Sequence, residues 1–314
     1  MKLQSSWQQL RLFAAMALLL LATGLPPILM PQRSHSFLVV FDITQSMGVM
    51  DMRINGHNVT RLDYAKSTLR QALRRLPCGS SLGWAAFADY RTMPLLEPLE
   101  VCEHFDALLA SLDGIDARMR WANASHVAKG LYWALRSARA IDPSVVTVFV
   151  SDGHEAPPVA IGDSGSLVLE PPMVGLVVGV GQVEPSRIPR TDDEGRVLTF
   201  WNADDVVQRT DVPEGSSHEE LSGLAEGHLR ALAHRHALSY MRLNDANTLL
   251  DALRGMGNAK VKQLPTDWRW LPAVAALVLL LWHDTVRLGR LLLASRRASQ
   301  QQRSHGARGS TVRA

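Results

Sequence analysis

The chain has few cysteines and lacks the motifs that mark several common enzyme classes. Its 314 residues include only two cysteines, Cys78 and Cys102. No Cys-x-x-Cys or His-x-x-x-His pair occurs, so the usual ligand spacings of a zinc site are excluded. No Gly-x-x-x-x-Gly-Lys-Ser/Thr run occurs either, which excludes nucleotide hydrolysis by the P-loop route. No internal repeat is visible.

The middle of the chain has no excess of positive charge and is mildly acidic. Residues 1–11 contain Lys2 and Arg11, and residues 283–314 contain seven arginines against one acid, Asp284. Between these ends lie 24 basic and 29 acidic residues. A nucleic-acid-binding domain needs a basic face, so we expect no nucleic-acid partner. The arginine-rich end is expected either to contact anionic membrane lipids or to be a solvated tail.

Two apolar stretches lie next to the basic ends. Residues 12–30 are uncharged and long enough to span a membrane, although Pro26 and Pro27 weaken the outer part. A cleaved signal peptide is the alternative, but no Ala-x-Ala site follows the run. Residues 271–282 are short for a span, and a buried core helix is their alternative. Because positive charge marks the cytoplasmic side, the sequence predicts an inner-membrane protein with both termini cytoplasmic and residues 32–267 outside that membrane.

Strands alternate with helices through the middle of the chain. Apolar runs at 37–41, 145–150 and 173–180 predict strands buried on both faces, and residues 61–76 have apolar side chains at helical spacing. Further predictions are helices at 103–113, 126–140, 217–236 and 245–256, and strands at 82–88, 93–98 and 238–242. This pattern predicts an α/β fold with a doubly wound, mostly parallel sheet and one antiparallel edge strand, flanked by two transmembrane segments.

The domain organisation follows from these elements. Residues 182–216 are polar and proline-rich and predict an insertion that contains a hairpin. The predicted parts are a cytoplasmic stub and anchor (1–34), a periplasmic domain (35–260), a second transmembrane segment (268–290) and a basic cytoplasmic tail (291–314).

The two cysteines lie at the open end of a predicted hairpin. Cys78 precedes strand 82–88 and Cys102 follows strand 93–98, so pairing of these strands would bring the two thiols together. In an oxidising periplasm they are expected to form a disulfide. The alternative is a pair of small buried hydrophobic side chains.

Oxygen-bearing side chains follow two of the predicted parallel strands. Asp42, Thr44 and Ser46 come after strand 37–41, Asp152 comes after strand 145–150, and Ser125 precedes helix 126–140. Ligands of open parallel sheets bind beyond the carboxyl ends of the strands. Carboxylate and hydroxyl oxygens suit Mg²⁺. Asp, Ser and Thr also favour helix caps and turns. Taken alone, each loop could therefore be a capping or turn segment without a metal.

In their order and spacing, these loops resemble the metal-ion-dependent adhesion site of a von Willebrand factor type A (vWA) domain. The matched positions are Asp42-x-Thr44-x-Ser46, Ser125 six residues before the Leu of Gly130-Leu131, and Asp152-Gly153. The resemblance covers about residues 36–257, and Ser125 stands where the family has threonine. It implies that Asp42, Thr44, Ser46, Ser125 and Asp152 hold Mg²⁺ (or Mn²⁺ or Ca²⁺). A partner protein's carboxylate then completes the metal shell.

Three further segments resemble bacterial membrane-anchored members of this family. They are Arg61-Leu62-Asp63-Tyr64-Ala65-Lys66, Leu76-Pro77-Cys78-Gly79-Ser80 and the run from Asp152 to Pro158. Similar proteins are encoded beside methanol dehydrogenase or work with MoxR-type AAA+ ATPases. The resemblance implies a non-enzymatic assembly or metal-insertion factor for a periplasmic quinoprotein-dehydrogenase-like enzyme. The alternative is a component of a MoxR-linked chaperone complex, with other vWA or MoxR-type proteins of the same operon as partners.

Two other functions stay open at this point. The site could be vestigial in a structural scaffold, or the chain could be a haloacid-dehalogenase-like phosphatase. Against the phosphatase, Thr44 stands where that family has an acid, and a threonine cannot perform the proton transfer. For the binding module, the loop residues Met47, Val49 and Met50 are expected to add apolar contact area, and Glu155 is expected to be solvated.

Overall fold

The computed structural model describes residues 2–159, 173–213, 215–256 and 260–281. The chain divides into two compact units, one of Gln32–Lys262 and one of Met1–Pro31 with Gln263–Ala314. The predicted basic tail and the last part of the second predicted span lie outside the described residues.

Most of the regular structure belongs to the larger unit. The helices are α1 (Lys2–Gly24), α2 (Arg61–Leu73), α3 (Phe105–Asp113), α4 (Val127–Ile141), α5 (Glu226–Arg235) and α6 (Ala246–Arg254). The strands are β1 (Ile28–Ser34), β2 (Ser36–Asp42), β3 (Met52–Ile54), β4 (His57–Val59), β5 (Ser81–Ala88), β6 (Arg91–Glu100), β7 (Val146–Ser151), β8 (Gly175–Gly179), β9 (Ser186–Arg187), β10 (Pro189–Thr191), β11 (Val197–Phe200), β12 (Leu221–Ser222), β13 (Ser239–Arg242) and β14 (Lys260–Thr266).

A six-stranded sheet forms the centre of the larger unit. Its strand order is β13-β8-β7-β2-β5-β6. The first five strands run parallel, and β6 pairs antiparallel with β5. The prediction of a mostly parallel α/β sheet with one antiparallel edge strand is therefore confirmed.

Helices cover both faces of this sheet because its strands are apolar on both sides. In β2, Phe37, Val39 and Phe41 pack into one core together with residues of α2, α3 and α6. The alternate residues Leu38 and Val40 pack into a second core with residues of α4 and α5. Successive strand side chains point to opposite faces, so an unbroken apolar run serves both cores.

Helix α4 lies directly on β5 at a glycine. A Cβ atom on Gly130 would lie 2.1 Å from the ring of Phe87, a distance that no relaxed contact allows. Glycine at this position lets the helix approach the sheet closely. The approach fixes the loop in front of α4, which carries Ser125.

The prediction of a helix over 217–236 is wrong for residues 217–225. Helix α5 begins only at Glu226, because the preceding residues form β12, which pairs antiparallel with β9. The backbone of Gly223 comes so close to the chain that an added Cβ would lie 2.6 Å from the carbonyl oxygen of Val183. The amide of Leu224 then donates to the carbonyl of Gln182 at 2.7 Å. Tertiary pairing overrides the helical pattern here.

Cys78 and Cys102 form a disulfide at the open end of the β5–β6 hairpin, with their Cα atoms 5.3 Å apart. Glu100 stabilises the same corner, since its carboxylate accepts hydrogen bonds from the backbone amides of Gly79 and Glu103. The hairpin is thus closed covalently at one end.

The predicted transmembrane segments are not found in the described part of the chain, where no helix is long and apolar enough to cross a membrane. Residues 12–24 of the first apolar stretch lie in α1, whose first half is polar and which ends before Pro26 and Pro27, and residues 28–30 belong to β1. Of the second stretch, residues 271–281 belong to a helix that begins at residue 270.

Candidate metal centre

The predicted metal loops meet at the carboxyl end of the sheet. Strands β2 and β7 are parallel neighbours, with Phe41 opposite Val150. Asp42 ends β2 and Asp152 directly follows β7, so the two carboxylates lie side by side although they are far apart in sequence. Parallel pairing brings equivalent strand ends to one edge of the sheet.

A chain of hydrogen bonds connects four of the five predicted ligands. Oδ1 of Asp42 accepts from the Thr44 amide (2.9 Å) and from the Thr44 hydroxyl (2.6 Å). The Thr44 and Ser46 hydroxyls lie 3.2 Å apart, and Ser46 donates to Oδ1 of Asp152 at 3.2 Å. None of these four residues exposes more than 3% of its surface. The first and third loops therefore form one buried cluster of oxygen atoms.

Ser125 reaches the same region from a different element. Its backbone pairs with Ala156, the two amides donating to each other's carbonyls at 2.7 and 2.8 Å. Its hydroxyl is buried and has no hydrogen-bond partner among the described residues. Ser125, Thr44 and Ser46 line one cavity of about 290 Å³. A buried polar atom without a partner is unfavourable unless something absent from the protein chain satisfies it.

The sequence analysis assigned no role to Arg61, which is fully buried beside the cluster. Its Nη1 donates to Asp152 at 2.5 Å and to the Ser222 hydroxyl at 2.7 Å, and its Nη2 donates to Asp51 at 2.7 Å. Gly181 makes room for it, since a Cβ there would lie 2.8 Å from Nε of Arg61.

A sequence signal for the burial of Arg61 existed. Residue 61 is in helical phase with the apolar residues Ala65, Leu69 and Ala72, all of which are buried. A charged residue on the apolar stripe of a helix is therefore expected to be buried together with a partner charge.

The two carboxylates have opposite electrostatic environments. Burial and repulsion by Asp152 raise the pKa of Asp42 to about 7, against the hydrogen bonds from Ser151 and Thr44. Burial also opposes ionisation of Asp152, but the attraction of Arg61 outweighs it and holds the pKa of Asp152 below its usual value. A cation placed between the two acids would relieve the repulsion that raises the pKa of Asp42.

Glu155 is buried, and the prediction that it is solvated was wrong. Its carboxylate accepts from the amides of Val127 (3.0 Å) and Ala128 (3.3 Å), which open α4, and lies 3.0 Å from Nε2 of His228 on α5. A carboxylate at this place satisfies amides that a helix start leaves without partners. Glu155 thus holds the loop that carries Ser125 against the loop that carries Asp152.

Two of the three loop residues predicted to contact a partner belong to the core. Met47 and Val49 are buried, and only Met50 is exposed. The loop folds back on itself, because the Val49 amide donates to Ser46 and the Arg61 amide donates to Val49.

The segment 182–213 forms the far wall of the cavity. It contains the antiparallel pair β10–β11, and Trp201 follows β11. The indole N–H of Trp201 donates to the side chain of Gln45, whose amide nitrogen donates to Asn123 at 2.9 Å. The cavity therefore lies between the metal loops and this segment.

The residues present fit a divalent cation. Two carboxylates and three hydroxyls converge on one region, and in the part of the chain that the structure describes the hydroxyl of Ser125 has no hydrogen-bond partner. An all-oxygen set of this kind suits a hard cation such as Mg²⁺. His154 lines the same cavity. Among the described residues, Cys78, Glu100 and Cys102 form a group of Cys, His or acidic side chains close enough to hold a metal ion. The sulfurs of Cys78 and Cys102 are, however, bonded to each other.

Comparison with known proteins adds only distant likenesses. No protein-family model matches the sequence, and no curated protein matches it. The chain is similar to the structure of an aerotolerance-related membrane protein from Bacteroides fragilis, with 19% identity over 70% of this chain and 96% of that chain and a TM-score of 0.49. It is also similar to BatB from Bacteroides thetaiotaomicron, with 18% identity over 70% of this chain and 95% of that chain and a TM-score of 0.47. A third similar structure is that of the ArnB paralog VWA2 from Sulfolobus acidocaldarius, with 13% identity over 72% of this chain and 45% of that chain and a TM-score of 0.39. These likenesses are too remote to carry an argument about function.

Proposed function

We propose that the protein is a non-enzymatic binding module that binds a partner protein through a divalent cation, held in a site of the vWA type. The observation that carries the proposal is the buried hydroxyl of Ser125, which has no hydrogen-bond partner within the described residues and shares a cavity with Thr44 and Ser46 beside two buried acids. Asp42, Thr44, Ser46, Ser125 and Asp152, directly or through water, would hold Mg²⁺ or, in its place, Mn²⁺ or Ca²⁺. The cation supplies Lewis acidity toward a carboxylate of the partner.

The surroundings of Asp42 favour a ligand over a nucleophile. Both oxygens of its carboxylate accept hydrogen bonds, one from Thr44 and the other from Ser151 at 2.6 Å. Thr44 stands where a phosphatase of the haloacid-dehalogenase type would need its acid. These features support binding without catalysis.

The cellular role follows from the sequence resemblance. We place the domain in the bacterial periplasm, associated with the inner membrane, where it assists assembly or metal insertion of a quinoprotein-dehydrogenase-like enzyme. The Cys78–Cys102 disulfide supports an oxidising compartment. The second candidate role, in a chaperone complex with a MoxR-type ATPase, uses the same site. Membrane fractionation of the native protein tests the location.

The test of metal dependence compares two aspartates in the same local structure. Asp42→Ala removes the carboxylate that accepts from the amide and hydroxyl of Thr44. Asp142→Ala is the matched control, since Asp142 accepts from the amide and hydroxyl of Ser144 at the opposite end of the sheet. We expect calorimetry to show Mg²⁺ binding by wild type and by Asp142→Ala, and none by Asp42→Ala.

The partner is tested by affinity capture from membranes with the same three proteins. We expect the captured partner to disappear with Asp42→Ala or with chelator and to remain with Asp142→Ala. A partner that stays bound in chelator refutes metal-dependent binding.

A further inference from the structure

Two arginines share one tryptophan ring beside helix α4. Cζ of Arg136 on α4 lies 5.0 Å from the centre of the Trp133 ring, and Cζ of Arg91, the first residue of β6, lies 5.2 Å from it. Cζ of Arg91 also lies 5.3 Å from the centre of the Tyr90 ring. We name these four residues the arginine–tryptophan cluster. Both arginines and Tyr90 are exposed and Trp133 is half-buried, so the cluster is open to a ligand from outside.

The two guanidinium groups have no acidic partner among the described residues. The ion pairs of that part of the chain involve neither Arg91 nor Arg136. By contrast, Arg230 on α5 also lies over an aromatic ring, but it is paired with Glu226 at 2.6 Å. A guanidinium has five N–H donors in a planar fork that fits a carboxylate. Stacking on a ring orients this fork without using its donors, so the cluster offers oriented donors to a ligand.

The surroundings of the cluster are basic, unlike the central part of the chain as a whole. Helix α4 contains Lys129, Arg136 and Arg139 and no acid, and residues 89–91 add Arg91 against Asp89. A local excess of positive charge attracts ligands that carry several negative charges and repels other basic surfaces. The charge therefore favours an acidic ligand.

The cluster adjoins the candidate metal centre through the backbone. Strand β5 runs parallel to β2, so the turn that follows β5 lies at the same end of the sheet as the first metal loop. This turn is bonded to the loop that carries Ser125. The amide of Asp89 donates to the carbonyl of Ala124 at 2.8 Å, and the amide of His126 donates to the carbonyl of Asp89 at 2.6 Å. A partner that brings a carboxylate to the cation would thus approach the end of the sheet at which the cluster begins.

The composition of this surface favours a protein as the ligand. Arg, Trp and Tyr are the residue types that contribute most to binding energy in protein–protein interfaces, and Met is also enriched there. Met93, two residues after Arg91 on β6, is 54% exposed and adds an apolar side chain. The aromatic rings can also contact the aliphatic part of an acidic side chain whose carboxylate is bound by an arginine.

We propose that the arginine–tryptophan cluster binds an acidic segment of a partner protein. Carboxylates of that segment form ion pairs with Arg91 and Arg136, which Trp133 holds in place. This contact does not need the cation, so it goes beyond the metal-dependent binding proposed above. The choice of a protein rather than a lipid as the source of the negative charge rests on the proposed function, because the cluster adjoins the loop of Ser125.

The test measures the binding of peptides with blocked ends to the full chain, by fluorescence anisotropy in EDTA. The acidic probe contains four consecutive glutamates, and the neutral probe has glutamines in their place. We expect the acidic probe to bind at least about tenfold more tightly in about 50 mM salt, as two exposed ion pairs can provide. About 500 mM salt should remove most of this difference, because it screens exposed charges.

Arginine variants locate the contact. Arg91→Gln and Arg136→Gln should each weaken binding of the acidic probe about 3- to 5-fold, and the double variant about tenfold. Arg230→Gln is the matched control, since it also removes one exposed, stacked guanidinium, but one that already has a carboxylate partner. It should leave the affinity within about twofold. Thermal melting checks the fold, and the single variants decide the question if the double variant is unstable.

A soluble anionic lipid, dihexanoyl phosphatidylglycerol, tests the other source of negative charge. We expect wild type and the double variant to bind it equally. If the lipid distinguishes these two proteins and the acidic peptide does not, the cluster is a lipid contact and the inference is overturned.

The remaining outcomes separate this inference from the proposed function. If the acidic peptide binds no better than the glutamine peptide, or if the arginine variants bind it like wild type, the inference is overturned. Mg²⁺ binding by wild type in calorimetry would still support the metal site. If the acidic peptide binds through the arginines but the protein binds no Mg²⁺, the inference is supported and the proposed function fails.

Discussion

Replacing Arg61 by methionine tests the electrostatic account of the metal centre. The change keeps an apolar stem of similar length but removes the guanidinium that pairs with Asp152 at 2.5 Å and with Asp51 at 2.7 Å. Arg61 and Asp152 are completely buried, and the Asp51 side chain is 7% exposed. The variant therefore leaves two carboxylates without their counter-charge in a dry environment.

The magnitude follows from this burial. Breaking a buried ion pair by removing one partner costs about 3–5 kcal/mol. For a folded unit of the size of Gln32–Lys262, 1 kcal/mol lowers Tm by about 2–4 °C, so Arg61→Met should lower Tm by about 6–20 °C in EDTA. The control is Arg118→Met, because Arg118 is 64% exposed and exposed ion pairs such as the one with Asp116 contribute little to stability.

The pH dependence provides a second readout. The pKa of Asp152 is held below its usual value in the folded protein, so its ion pair stabilises the fold above the unfolded pKa of about 4 and is lost as pH falls through the folded pKa. Without Arg61, burial raises that pKa, and Asp152 takes up a proton at higher pH. The gap in Tm between wild type and Arg61→Met should therefore narrow from about pH 8 to about pH 5. Equal melting of Arg61→Met and Arg118→Met, or a gap that widens in acid, would refute this reasoning.

Three further predictions concern the cation and the disulfide. Ser125→Ala should weaken Mg²⁺ binding in calorimetry by about tenfold. Ser80→Ala should not, although it also removes a buried hydroxyl that has no partner among the residues described. Equal affinities of the two variants would count against Ser125 as a ligand. Because the pKa of Asp42 is raised to about 7, Mg²⁺ must displace a proton in acid, so its affinity should fall about tenfold per pH unit below pH 7. A flat profile between about pH 6 and pH 8 contradicts that assignment. Reduction of the Cys78–Cys102 bond should lower the free energy of unfolding by about 3 kcal/mol, and unchanged denaturant curves would show that the bond is not stabilising.

The sequence predicts the sheet well because its signals are local. Strands β2, β7 and β8 appear as unbroken apolar runs, and β5 and β6 appear as neighbouring short runs that form a hairpin. The position of Asp42 and Asp152 also follows from the chain alone, since both come directly after buried parallel strands. In both cases, the decisive information lies within a few residues.

The features that the sequence did not predict depend on distant partners. Glu155 is buried because its partners are the first amides of α4 and His228, which lies on another helix. The start of α5 is set by the pairing of β12 with β9. Trp201 lines the cavity because the segment after β8 returns to the metal loops and places its indole against Gln45. Patterns within one segment carry no information about such contacts.

The edge strand β6 has a consequence for the behaviour of the protein in concentrated solution. It contains Pro94 and Pro98, and a proline has no amide hydrogen to offer a neighbouring chain. Prolines are typical of edge strands, where they hinder pairing with a strand of another molecule. The sheet is therefore protected at this side against open-ended growth into intermolecular aggregates.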